Sequence, residues 1–218
     1  MKNNFKHWDA ASIVDFFDSR RDKQGDVYPS EWFFLKDQIR ENISVLDVGC
    51  AQGGFSQIFS NYLKSFNYVG MDISLNMIER ARSRFPQHLF LHCSEGDYSN
   101  LNNKKFDLVL VLGIIHLHEG WRNTISKAWE HTAKNLILDF RETELPSIED
   151  KNISFFNMEG SDYPIPYNII NTAEALSELI RLCPGYKKIC RYGYIHPISE
   201  SATSPIRQVM TTVYSIER

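Results

Sequence analysis

At 218 residues, 43% of them apolar and 13% aromatic, the chain is long enough to bury a substantial core as one domain. Its 24 Lys and Arg against 27 Asp and Glu leave a formal net charge of -3. That excludes a large basic surplus for nucleic-acid phosphates, and no apolar stretch approaches the roughly 20 residues of a membrane span.

Residues 1–43 scatter Trp8, Phe16, Phe17, Trp32, Phe33 and Phe34 among charges. They predict two amphipathic helices, joined near Gly25–Pro29 and laid over the mouth of a cleft. From residue 44 onward, short Val/Ile/Leu-rich runs alternate with longer segments of helical period, the pattern of a parallel sheet covered on both faces. Strands are expected at 44–48, 68–72, 89–92, 108–112 and 136–140. Between the first two, Phe55, Ile58, Phe59, Tyr62 and Leu63 form one apolar helical stripe. Ser74 is a good N-cap for the next helix, which carries Met77, Ile78, Ala81 and Phe85 and stops at Pro86. A third helix is expected around 123–133.

Residues 141–170 hold Pro146, Pro164 and Pro166 with no sustained period, and read as a substrate-side insertion. A helix opens at Asn171 with Glu174 three residues on, and ends before Pro184-Gly185. Runs at 187–195 and 208–216, with no helix between them, predict an antiparallel terminal hairpin. The class is therefore α/β, a doubly wound seven-stranded sheet, mostly parallel, in a single domain spanning 1–218. The four cysteines, Cys50, Cys93, Cys183 and Cys190, form no CxxC pair and read as reduced thiols of a cytoplasmic protein.

The segment Val45-Leu46-Asp47-Val48-Gly49-Cys50-Ala51-Gln52-Gly53-Gly54-Phe55 runs from a buried strand through a glycine turn into a helix, where open α/β sheets bind ligands. Asp72 ends the second strand nineteen residues beyond Gly53, placed to accept from both hydroxyls of a ribose. An adenosine ligand follows. A dinucleotide pyrophosphate fits poorly, because the Ala51 methyl crowds the backbone approach and Asp47 adds negative charge; a sulfonium with an ammonium group suits that charge.

With those residues in view, Asp47-Val48-Gly49-Cys50-Ala51-Gln52-Gly53 resembles the first motif of the class I S-adenosylmethionine-dependent methyltransferases, which have a Rossmann-like fold. Ala51 replaces the middle glycine. Asp72-Ile73-Ser74 with Met77 resembles the second motif, Glu95-Gly96-Asp97-Tyr98 the third, and Phe106-Asp107-Leu108-Val109 through Gly113 the fourth. The resemblance covers roughly residues 43–141, and the terminal hairpin matches the family's reversed last strand.

It implies S-adenosyl-L-methionine as cofactor and S-adenosyl-L-homocysteine as product. Asp47, Gly49, Ala51 and Gly53 would frame the methionine end and Asp72 would hold the ribose. Ile73 and Tyr98 would sandwich the adenine ring, Met77 would belong to the cofactor site, Asp97 would accept from the adenine amino group, and Gly113 would let the cofactor's amino group meet a backbone carbonyl.

Methyl transfer from a sulfonium is an in-line displacement that needs a general base only for some acceptors. His116, then His118, are the candidate bases in Gly113-Ile114-Ile115-His116-Leu117-His118. No third ligand accompanies the His-x-His spacing, so no metal is expected. Tyr28, Trp32, Tyr163 and Tyr167 are candidate acceptor contacts, and Arg141 and Arg207 would steer an anionic acceptor. The expected acceptor is a small molecule or saccharide, methylated on oxygen, without nucleic-acid or membrane partners. Competing readings are an RNA or protein methyltransferase and a non-catalytic cofactor-binding module.

Overall fold

The computed structural model describes residues 6–16, 21–94, 96–156 and 164–218. Two short helices, α1 (Ala11–Phe16) and α2 (Pro29–Leu35), precede an alternating core: β1 (Ser44–Val48), α3 (Gly54–Ser60), β2 (Asn67–Asp72), α4 (Leu75–Arg84), β3 (Leu89–His92), β4 (Phe106–Val111), α5 (Trp121–Glu130) and β5 (Thr132–Thr143). Three two-residue strands follow, β6 (Phe155–Phe156), β7 (Ile165–Pro166) and β8 (Ile170–Asn171). Then come α6 (Thr172–Leu182), β9 (Lys188–Pro197), β10 (Ala202–Thr203) and β11 (Gln208–Glu217).

The main sheet runs β3-β2-β1-β4-β5-β11-β9, seven strands as expected, with the short β8 added beside β5. Strands β3 to β5 are parallel, while β11 lies antiparallel between β5 and β9. Alternation along each strand sorts residues between two cores. Leu108, Leu110 and Ile137 face α3 and α4, while Val109, Val111, Leu136 and Leu138 face α5 and α6. Ser74 caps α4 by accepting from the Met77 N–H, and Asn171 caps α6 by accepting from Ala173 and Glu174.

Two expectations need correction. The third helix lies at 121–130 rather than 123–133, because β5 begins at Thr132, whose hydroxyl donates back to the Ala128 carbonyl. In the N-terminal segment Ile13 of α1 and, further on, Arg21, Asp26 and Tyr28 line the cleft, but α2 packs against β9 and β11, with Phe33 stacked on Tyr192. Within the 141–170 insertion, β6 pairs with β7, and also with β10, in a small antiparallel sheet. Among the described residues no helix is long and apolar enough to cross a membrane.

Candidate functional site

A cleft of about 910 Å³ opens at the carboxyl ends of β1, β2, β4 and β5. Its floor is the turn after β1. Gly49, Ala51 and Gly53 all have positive φ, at 78, 45 and 81°, and the Gly49 and Cys50 N–H groups donate to the Met71 carbonyl. A Cβ on Gly49 would sit 2.5 Å from the Ile114 side chain, so the turn both bends left-handed and packs tightly. Ala51 holds the same region of conformational space at a steric cost glycine would not bear.

Asp72 fixes the turn to β2. Its carboxylate accepts from the Ala51 N–H at 2.8 Å and the Ser74 N–H at 2.9 Å, with the Ile73 N–H also bonded to it, and it lines the cleft wall. Burial pushes its pKa up, while those N–H groups pull it back. Gly49, Ala51, Ile73, Met77, Tyr98 and Gly113 line the same cleft.

Asp47 does not. It is buried beneath the turn, where it accepts from the Tyr68 hydroxyl, and burial pushes its pKa up to about 7. Gly53 packs behind the turn against Phe90 and Phe85. Asp97 is exposed, outside the cleft lining, and caps its own turn through the Ser99 N–H.

The roof is the N-terminal segment. Asp9 accepts from the Ser74 hydroxyl and the Asn76 N–H, Gln52 donates to the Val14 carbonyl, and Ile13 and Val14 pack on Met77. These contacts hold Trp8 and Ile13 over the half of the cleft that contains Asp72 and Met77.

The other half is polar and built from residues distant in sequence. Arg21 lies over Gly113, its guanidinium 3.1 Å from where a Cβ would stand, and pairs with buried Glu31 at 3.0 Å. Asp139, fully buried, accepts from the Gly113 N–H at 2.6 Å and from Arg141 at 2.7 Å. Arg141 is 8% exposed and lies 5.7 Å from the Tyr28 ring, which Arg21 approaches on its own account at 5.9 Å. It also hydrogen-bonds the Tyr167 phenol, offsetting part of burial's upward push on that group.

His116 sits beside them, 6% exposed, with Nδ1 lacking a partner. Burial first, and then the Arg141 charge, lower its pKa to about 3, so the ring is neutral and a weak proton acceptor. This argues against His116 as general base. His118 lines the cleft beside it. Asn168 fixes this loop: its N–H donates to the His116 carbonyl, and its amide donates to the carbonyls of Ile115 and His118.

Of the candidate acceptor contacts, Tyr28, Arg141 and Tyr167 line the cleft. Trp32 and Arg207 do not: Trp32 stacks near Tyr62 on the helical face, and Arg207 is exposed in the loop before β11. Tyr163 and Glu95 lie outside the described residues. The sequence reading missed Arg21, Glu31, Asp139 and Asn168. Only Asp139 carried a signal, an acid inside the apolar strand Leu136-Ile137-Leu138-Asp139-Phe140. Among the described residues no group of three His, Cys, Asp or Glu side chains is arranged to hold a metal ion.

Residues 46–137 match the family model of a methyltransferase domain. The chain is 26% identical over 164 residues to the ribosomal RNA large subunit methyltransferase E of Brachyspira hyodysenteriae, covering 69% of this chain and 82% of that protein. It is 29% identical over 87 residues to the trans-aconitate 2-methyltransferase of Rhodopseudomonas palustris, covering 40% of this chain and 32% of that protein. Among solved structures, magnesium protoporphyrin IX methyltransferase from Synechocystis superposes with a TM-score of 0.59 at 14% identity, over 96% of this chain and 93% of that one. The centre of the chain thus matches a methyltransferase domain, and the chain as a whole shares the fold of solved S-adenosylmethionine-dependent methyltransferases.

Proposed function

We propose that the protein transfers the methyl group of S-adenosylmethionine to an oxygen of a small-molecule acceptor. The observation that carries the reading is a cleft with two unlike halves, one offering a nucleoside a glycine turn, Asp72 and an apolar roof, the other presenting Tyr28, His116, Arg141 and Tyr167. The residues fit the cofactor: Asp72 lines the cleft with a carboxylate for ribose hydroxyls, and the buried Tyr98 hydroxyl and Gln52 Oε1 lack protein partners along the same wall. Arg21, over Gly113, is placed for the methionine carboxylate.

When bound, S-adenosylmethionine supplies an activated methyl group and a neutral thioether leaving group. This chain's residues bind it, exclude water and orient the acceptor. Roofing by Trp8, Ile13, Arg21 and Tyr28 favours a compact acceptor that fits inside the cleft. RNA is the second reading, favoured by the match to the ribosomal RNA methyltransferase over most of its length; the net charge of -3 weighs against it.

Calorimetry with S-adenosylhomocysteine, followed by transfer of labelled methyl to a small-molecule library and to ribosomal RNA, tests the proposal. Expected are homocysteine-nucleoside binding and label in small molecules. Label in RNA alone replaces the first reading with the second, and absence of cofactor binding removes both.

A further inference from the structure

Four charges meet at the acceptor end: Arg21 with Glu31, and Arg141 with Asp139. Arg21 and Asp139 both meet the Gly113 turn, each with its partner, and the four charges sum to zero. Neither acid is available as a base. Asp139 already accepts from Arg141 and the Gly113 N–H, which with the neighbouring positive groups hold its pKa down against burial. Glu31 accepts from the Tyr28 N–H and faces Arg21.

His116 faces Arg141, Asp139, Arg21 and His118, and it is neutral. Its Nδ1 is buried in the cleft wall without a partner, a polar atom whose desolvation is uncompensated by protein. Arg141 bonds Asp139 and the Tyr167 hydroxyl, and a guanidinium with five N–H groups keeps further donors for a carboxylate in the cleft. Tyr28, Phe156 and Tyr167 add flat ring surfaces to the same region.

We infer that the acceptor is a carboxylic acid with a flat apolar body, bound as its carboxylate between Arg141 and the His116 Nδ1–H and converted to its methyl ester. The inference rests on the methyltransferase reading and names the substrate class of that same cleft. The chemistry needs no general base. One carboxylate oxygen attacks the methyl carbon, a C–O bond forms, the C–S bond breaks and its electron pair stays on sulfur. No proton moves, because a carboxylic acid is already ionised at neutral pH. The monoanion also matches the single sulfonium charge, and the two ion pairs at this end, Arg21 with Glu31 and Arg141 with Asp139, are each neutral.

The test uses the full chain with S-adenosylmethionine labelled in its methyl group, offered cinnamate, benzoate or indole-3-acetate, and in parallel cinnamyl alcohol and phenol. A methyl ester releases volatile labelled methanol in alkali, and a methyl ether does not. Expected is alkali-volatile label from at least one acid, at a rate flat between pH 6 and 8.5.

The double variant Arg141→Met/Asp139→Asn, which keeps the pocket neutral, should lower kcat/KM on the order of 10- to 100-fold while S-adenosylhomocysteine still binds. His116→Asn, which keeps an N–H at that place, should retain turnover that His116→Leu loses. Alkali-stable label from the alcohol or phenol, or a rate that climbs with pH, overturns the carboxylate assignment and leaves the methyltransferase standing. So does a protein that binds S-adenosylhomocysteine but neither methylates any of the three acids nor binds them beside it. Failure to bind S-adenosylhomocysteine overturns both.

Discussion

The two halves of the cleft are made differently. The floor of the nucleoside half comes from one contiguous piece of chain, Gly49 to Met77, in which backbone N–H groups, a left-handed turn and one carboxylate form the wall, with Trp8, Ile13 and Tyr98 added from elsewhere. The acceptor half collects Arg21, Glu31, His116, Asp139, Arg141 and Tyr167 from five separate segments, and its wall is made of charged side chains that neutralise one another. A backbone-built site tolerates little variation in what it binds. A side-chain-built site can be re-specified one residue at a time, so the first half speaks for the reaction and the second for the acceptor.

The sharpest way to break this contrast is to disturb the charge set. Glu31→Ala should cost about 3 kcal/mol in denaturant unfolding, because it leaves Arg21 without its buried partner and also removes the acceptor for the Tyr28 N–H. An unchanged midpoint would mean that the Glu31–Arg21 pair does not hold the roof. In the nucleoside half, Asp72→Asn should weaken S-adenosylhomocysteine binding on the order of 10- to 100-fold by calorimetry while the chain stays folded, since the amide oxygen still accepts one N–H.

His116 gives the acceptor half an acid sensitivity. The unfolded chain takes up a proton near pH 6.5, whereas the folded ring resists until about 3, so stability is full above 6.5 and is lost as pH falls between those values. At pH 5 the loss is about 2 kcal/mol, and His116→Phe should flatten that slope in unfolding curves taken from pH 7.5 to 5. Asp47 works in the opposite sense, its raised pKa favouring the folded state as pH falls from about 7 toward 4, and persists as the background in both proteins. The smallest effect belongs to the turn: Ala51→Gly, at φ 45°, should raise stability by up to about 1 kcal/mol, visible as a higher Tm. A lower Tm would mean that the alanine methyl's packing near Ile13 and Met77 outweighs the backbone strain.

By itself the sequence determined whatever depends on neighbours along the chain. The β/α alternation, the glycine turn, the Ser74 and Asn171 caps and the strand-ending position of Asp72 were legible because each is a local pattern of period, cap or φ preference. Asp47 and Asp97 show where such reading stops: the residues sit at the expected places in the chain, but Tyr68 draws the first carboxylate under the sheet and Ser99 keeps the second at the surface. Only the tertiary structure decided that Arg21 reaches Gly113, that Asp139 is shared between Gly113 and Arg141, that Asn168 staples the His116 loop, and that Trp32 and Arg207 face elsewhere. Those pairings join segments separated by tens of residues. Buried charges choose partners by where the folded chain brings them, and no local spacing encodes that choice.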